Sequence, residues 1–257
     1  MSEQASTVGI IYPGHAAEDD YPGLEAVLAA RPAPVPVRLP VVISTIGIDE
    51  HTPEALRETG AHRRLSEACT RLLAEHSPDA LMWACTSGSF VFGWQGAQEQ
   101  ARRLTIETGL PASSTSLAFV RALGTLGIGR VAVAASYPAE LAEHFRSFLA
   151  EAGIEVTGFT SHGIFTAGEV GHLGLAQMVQ MVRSADSPEA EAVLVPDTAM
   201  HSLQRVEQLE EAVGKPVLTA NQVTVWEGMR LAGHDLPQIP GLGRLLGPVQ
   251  RSGPATV

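Results

Sequence analysis

Short, wholly apolar runs alternate with longer amphipathic segments from one end of the chain to the other. Apolar runs fall at residues 8–12, 41–43, 81–84, 131–135 and 192–195, with a shorter one after Lys215-Pro216. None shows the apolar–polar alternation of a half-exposed strand, so each reads as a strand covered on both faces. Residues 154–159 read as a further strand. The segments between carry helical periodicity. One helix spans 21–30, with Pro22 near its first position. A single long helical region runs from Thr52, an N-cap followed by Pro53, to Glu75. Others span 95–108 (closed by Gly109), 117–126 and 139–153, the last with Phe145, Phe148 and Leu149 on one side. Another runs from the 162–166 loop to about residue 184, and a last one covers 222–232. The proline-rich stretch 31–37 is excluded from helix. Residues 18–20 read as an acidic loop, 111–116 as a polar bridge, and 242–246 as a packed segment before a frayed end. Strands alternating with helices predict an α/β fold with parallel sheets and right-handed crossovers.

The pattern also repeats. The first run ends in Tyr12-Pro13 and the run at 131–135 is followed by Tyr137-Pro138. Later in each half an apolar run ends in an ionisable residue beside hydroxyls: Cys85 with Thr86, Ser87 and Ser89, then Asp197 with Thr198. This predicts two similar flavodoxin-like lobes related by a pseudo-twofold axis, residues 1–113 plus 222–257 in one and 114–221 in the other. Parallel sheets bind ligands at the C-terminal ends of their strands, which places Cys85 and Asp197 on opposite sides of one cleft.

The segment Cys85-Thr-Ser-Gly-Ser89 has a chemical use at that place. Free N–H groups at the start of a helix hold an anion, and the same field lowers a thiol pKa. The alternative is a buried cysteine acting as a small hydrophobe, the reading that suits Cys69 within its helical pattern. Asp197 is either the N-cap of a following helix or a general acid or base with a pKa shifted by burial. His201, four residues on, would pair with it on one helix face, although a surface histidine is the simpler reading.

The formal net charge of −11 argues against nucleic acid and anionic membranes as partners, though not against small anions, which respond to local field. Two cysteines make no disulfide framework. The polar start lacks a signal pattern, and no run approaches the roughly 18 apolar residues of a membrane span, so a cytoplasmic location is expected. No Cys/His spacing suits a metal and no dinucleotide or Walker loop occurs. A homodimer is the default expectation for assembly.

These residues resemble the aspartate/glutamate racemase superfamily, and within it the maleate cis–trans isomerases and arylmalonate decarboxylases. The resemblance rests on Cys85-Thr-Ser-Gly-Ser with Gly93, on Val133-Ala-Ala-Ser-Tyr137, and on Trp226-Glu-Gly-Met-Arg-Leu-Ala-Gly. It implies cofactor-free chemistry beside a carboxylate of a small acid. Cys85 takes the nucleophile position of the isomerases, and Pro13, Thr86, Ser87, Tyr137 and Thr198 take substrate-binding positions. Two departures stand out. Asp197 occupies the second cysteine position, which is the one cysteine the decarboxylases keep where their first position is glycine, and His15 takes the place of an early-loop asparagine. The leading expectation is therefore a cis–trans isomerase of a maleate-like acid, with thiolate addition by Cys85 and Asp197 managing a proton. The second is a decarboxylase or racemase of a substituted malonate or α-carbonyl acid using Cys85 and Asp197. A cysteine hydrolase and a non-catalytic carboxylate-binding protein are further alternatives.

Overall fold

The computed structural model describes residues 5–14, 16–31, 36–233 and 239–247. The first strand, β1 (Ser6–Pro13), pairs in parallel with β2 (Val37–Arg38) and β3 (Val41–Ser44) on one side and with β4 (Ala80–Trp83) on the other. Strand β5 (Ala112–Ser114) extends this sheet beyond β4. The second sheet has the order β7-β6-β8-β9, built from β6 (Arg130–Ala135), β7 (Glu155–Ser161), β8 (Ala192–Val195) and β9 (Val217–Thr219), again all parallel. Each sheet thus places its first strand between the strands on either side in the flavodoxin-like manner, β1 between the β2/β3 pair and β4, and β6 between β7 and β8. The central strands are apolar on both faces because helices cover both: β4 and β8 are buried at every residue.

The helices are α1 (Asp20–Ala29), α2 (Pro53–Thr59), α3 (His62–Glu75), α4 (Ser87–Phe90), α5 (Gly93–Thr108) and α6 (Thr115–Leu126) around the first sheet. Then come α7 (Ala139–Glu151), α8 (Ala167–Gly171), α9 (Leu175–Ala185), α10 (Val206–Val213), α11 (Ala220–Leu231) and α12 (Gly243–Leu246). No helix among the described residues is long and apolar enough to cross a membrane. The lobes share a core in which Phe90, Phe119, Tyr137, Phe145 and Phe148 meet. Helix α11 runs through this shared interior, so its polar residues up to Glu227 are buried and bonded. Asn221 meets Asp20, and Glu227 meets Arg121 and Arg230.

Three predicted elements differ. The helical region 52–75 is two helices, α2 and α3, broken at Gly60 and Ala61. Thr52 does cap the first, accepting from the Ala55 N–H at 3.3 Å. The break lets Gly60 lie against the Gly88 carbonyl, where a Cβ would approach to 2.0 Å. The 111–116 bridge contains strand β5, whose Ser113 and Ser114 hydroxyls are bonded internally, to Arg121 and to Ser89. Polar composition hid the strand because its hydroxyls find partners inside the protein. The helix predicted through residue 184 is interrupted at His172–Gly174, giving α8 and α9.

Candidate active site

The C-terminal ends of the two sheets face one cleft. From the first lobe come Tyr12 and Pro13 at the end of β1, and Cys85 and Ser87 just beyond β4. From the second come Asp197, Thr198 and Ala199 beyond β8, and Ala167 at the start of α8. The 46–51 loop covers the opening with Ile46, Ile48, Asp49, Glu50 and His51, and Leu56 and Thr59 of α2 complete the wall. Among the described residues no lysine or arginine lines it. Among the described residues no group of three His, Cys, Asp or Glu is placed to hold a metal ion.

Cys85 follows β4 by two residues, as Asp197 follows β8. Its sulfur accepts the Gly88 N–H at 3.2 Å and lies 3.8 Å from Ser87 Oγ. A Cβ at Gly88 would stand 3.0 Å from Sγ and 3.2 Å from the Trp83 ring, so a larger residue there would push the thiol by a few tenths of an ångström. The helix that follows, α4, has only four residues and therefore a weak dipole. The expected lowering of the thiol pKa is overturned: burial pushes Cys85 up to about 12, the Asp197 charge adds to the rise, and the Gly88 and Ser87 hydrogen bonds offset only part of it. A raised pKa favours the protonated thiol over the thiolate. Cys69, buried in α3, is likewise pushed up to about 12, first by burial.

Asp197 is buried and held on both oxygens. Oδ2 accepts from the Ser136 hydroxyl and Oδ1 from the Ala199 N–H at 3.0 Å. The predicted helix cap is corrected here: residues 198–200 form a turn, and regular helix resumes only at Val206 after a short 3₁₀ segment. His201 does not share a helix face with Asp197. It pairs instead with Asp19 at 2.8 Å and with the Gly171 carbonyl.

Two tyrosine hydroxyls brace the Asp197 turn, from Tyr12 to the Thr198 carbonyl and from Tyr137 to the Pro196 carbonyl. Burial, before any neighbouring charge, holds both phenols well above their ordinary pKa, so both remain donors. Tyr137 and Thr86 lie behind the cleft lining. Thr86 Oγ1 is buried without a good hydrogen bond, close enough to the Tyr137 hydroxyl to favour its ionised form. Cys85, Asp197, Pro13, Ser87 and Thr198 are brought together on the lining, while the predicted contact at His15 lies outside the described residues.

Sequence reasoning did not single out Tyr12, Asp49 or His51 as site residues. Tyr12 had a signal, its place in the Tyr-Pro repeat. The loop residues had none, because their position depends on contacts across the lobes. Asp49 accepts the Ala167 and Gly168 N–H groups at 2.9 and 3.2 Å, capping α8 from the other lobe. The His51 backbone N–H reaches Phe165 O at 2.7 Å and its Nδ1 reaches Ile164 O at 2.8 Å. This latch closes the cleft to about 40 Å³, room for a few water molecules.

The sequence model of the arylmalonate decarboxylase family matches residues 44–246. The chain is 31% identical over 251 residues to arylmalonate decarboxylase from Bordetella bronchiseptica, covering 95% of this chain and 98% of that one. It is 30% identical over 203 residues to maleate isomerase from Nocardia farcinica, covering 76% of this chain and 78% of that one. Among solved structures it resembles a liganded arylmalonate decarboxylase variant in which a glycine is replaced by cysteine and a cysteine by serine. That match has a TM-score of 0.79 and 27% identity over 94% of this chain and 98% of that one. With two flavodoxin-like sheets, a cysteine and an aspartate facing one cleft, and a match across most of its length, the chain belongs to the arylmalonate decarboxylase family.

Proposed function

We propose that the protein is a decarboxylase of a 2-substituted malonate in which the Cys85 thiol is the proton donor. The observation that carries this reading is the buried Cys85, its thiol pushed up by burial and by Asp197, lining one cleft with the Asp197 carboxylate and, among the described residues, with no lysine or arginine. An acid at this position suits the protonation of a carbanion, whereas addition to a double bond requires the thiolate. The retained carboxylate of the substrate sits at the start of α4 and the Asp197 turn, where Ser87 and Thr198 line the cleft and backbone N–H groups open a helix. The departing carboxylate meets apolar side chains (Ile46, Ile48, Leu56) and the acidic Asp197. It leaves as neutral carbon dioxide while its charge passes with the electron pair into the enediolate, so the repulsion between this carboxylate and Asp197 is relieved on the way to the transition state.

The bond from the α-carbon to the departing carboxylate breaks, and its electron pair enters the enediolate of the retained carboxylate. The S–H bond of Cys85 then gives its proton to the α-carbon, and the thiolate recovers a proton from solvent.

The comparisons also support a maleate isomerase reading, in which thiolate Cys85 adds to the alkene. Phenylmalonate and maleate distinguish the two, each incubated in D2O with the wild type and Cys85→Ala and followed by proton NMR. The decarboxylase reading expects phenylacetate carrying one deuterium at the α-carbon, with at least a hundredfold loss in the variant, the usual scale of a positioned general acid. Fumarate from maleate with phenylmalonate untouched would establish the isomerase instead.

A further inference from the structure

One side chain of the cleft has a fixed orientation and an unengaged ring nitrogen. His51 is 5% exposed. Its Nδ1 lies 2.8 Å from the Ile164 carbonyl, and a carbonyl only accepts, so Nδ1 carries the hydrogen. The backbone of His51 is tied to Phe165 O, and its ring meets Tyr137 edge-on, centroids 5.1 Å apart at 84°. The ring therefore has one available pose. Nε2 has no hydrogen-bond partner among the described residues, and His51 lines the cleft. With the hydrogen committed to Nδ1, Nε2 of the neutral ring is an acceptor.

The neighbouring groups have the same character. Asp49 and Glu50 on this wall and Asp197 opposite all accept hydrogen bonds, and no lysine or arginine answers them. A substrate substituent that only accepts, or that offers bare hydrocarbon, leaves Nε2 desolvated and unpaired when the latch closes over it. That is the arrangement by which a polar site rejects an analogue lacking its donor. We propose that His51 is a specificity-determining residue whose Nε2 accepts a hydrogen bond from a hydroxyl or amino group on the substrate's substituent. The inference deepens the decarboxylase reading by naming the substrate class of the same site: small acids whose substituent carries a donor.

Product-like monocarboxylates test this without turnover. The affinities of phenylacetate and of its meta- and para-hydroxy and amino derivatives are measured by calorimetry at about pH 8, above the ordinary histidine range. The proteins are the wild type, His51→Phe and His51→Gln, each checked for folding by its thermal transition. At least one donor-bearing ligand is expected to bind the wild type roughly five- to tenfold more tightly than phenylacetate. His51→Phe should abolish the preference, and His51→Gln, which keeps a carbonyl acceptor, should retain part of it. The hydroxy and amino arms show which donor is preferred. Equal binding of all ligands, a preference that survives in His51→Phe, or no binding of any of them would overturn the proposal. Because these ligands have no carboxylate to lose, their outcome is separate from the phenylmalonate assay that decides the reaction.

Discussion

Tyr12 and Tyr137, one from each Tyr-Pro repeat, both donate to the turn that carries Asp197: Tyr12 to the Thr198 carbonyl at 3.0 Å and Tyr137 to the Pro196 carbonyl. The repeat is symmetric in sequence but not in use, because both hydroxyls brace the aspartate side of the cleft. Tyr12 reaches it from the other lobe and also accepts the Ala17 N–H at 3.0 Å. It therefore ties the β1 loop to the Asp197 turn.

Tyr12→Phe should leave the Thr198 carbonyl and the Ala17 N–H without this partner, a cost of about 1–3 kcal/mol. The melting temperature is expected to fall by several degrees. KM should rise more than kcat falls, because Thr198 loses its position rather than its chemistry. Steady-state kinetics on the folded variant checks this, and an unchanged KM would show that the brace is structural only.

The pH profile follows from the state of Cys85. With the thiol raised to about 12 by burial first and by Asp197 in addition, its protonated form persists through the range where an ordinary cysteine ionises. A reaction that uses the thiol as acid should hold its rate from neutral pH through about pH 9 and lose it only as pH climbs towards the raised value. A thiolate mechanism would show the opposite slope, with rate rising through the same window. The same sign applies to stability. The folded state favours the protonated thiol, so Cys85 becomes a destabilising group as pH rises from the ordinary thiol value towards the raised one.

Asp197→Asn removes a charge that raises the Cys85 pKa. Alkylation of Cys85 by iodoacetamide, read as rate against pH, should shift to lower pH in this variant. Cys69 is also buried, so Cys69→Ala serves as the background. Turnover should fall at the same time, since the charge opposite the departing carboxylate is gone. A profile that does not shift would show that Asp197 leaves the thiol unaffected.

Asp49→Ala releases two N–H groups of α8 from their cap across the lobes. The cleft of about 40 Å³ is smaller than an aryl-substituted malonate, so the proposed decarboxylase reaction requires the latch to open on binding. Its loss should speed association of bulky substrates while slowing turnover through a loosened His51. Pre-steady-state binding and kcat on one substrate separate the two effects, and a slower association would refute the latch.

Gly60→Ala would place a Cβ 2.0 Å from the Gly88 carbonyl, with backbone on both sides. Relief requires α4 to shift, and α4 carries the N–H that holds Cys85 Sγ. A loss of about 1–3 kcal/mol and a large fall in activity are expected, measured by denaturant unfolding and by turnover. Gly109→Ala is the contrasting case: it meets no atom within 4 Å and has φ +73°, so only backbone strain should register, with activity retained.

Much of the architecture was readable from local pattern. Apolar runs such as those of β4 and β8 have to be covered on both faces, and that requirement alone predicts parallel strands between helices. The repeat of strand, Tyr-Pro, strand and ionisable residue placed Cys85 and Asp197 at equivalent points beyond β4 and β8. Local pattern failed where a tertiary partner replaced the local one. Residues 112–114 are polar yet form a strand, because Arg121 and Ser89 satisfy their hydroxyls. The 52–75 helix breaks because Gly60 has to meet Gly88.

For the candidate site, sequence determined which reactive groups are present and that strand ends present them. Tertiary structure decided their state and surroundings. A thiol pKa depends on the competition between desolvation and nearby donors, and burial in a shared core outweighs a four-residue helix. Asp49 and His51 enter the cleft only because hydrogen bonds to residues 164–168 of the other lobe hold them there. No period or spacing along one chain segment encodes a partner more than a hundred residues away.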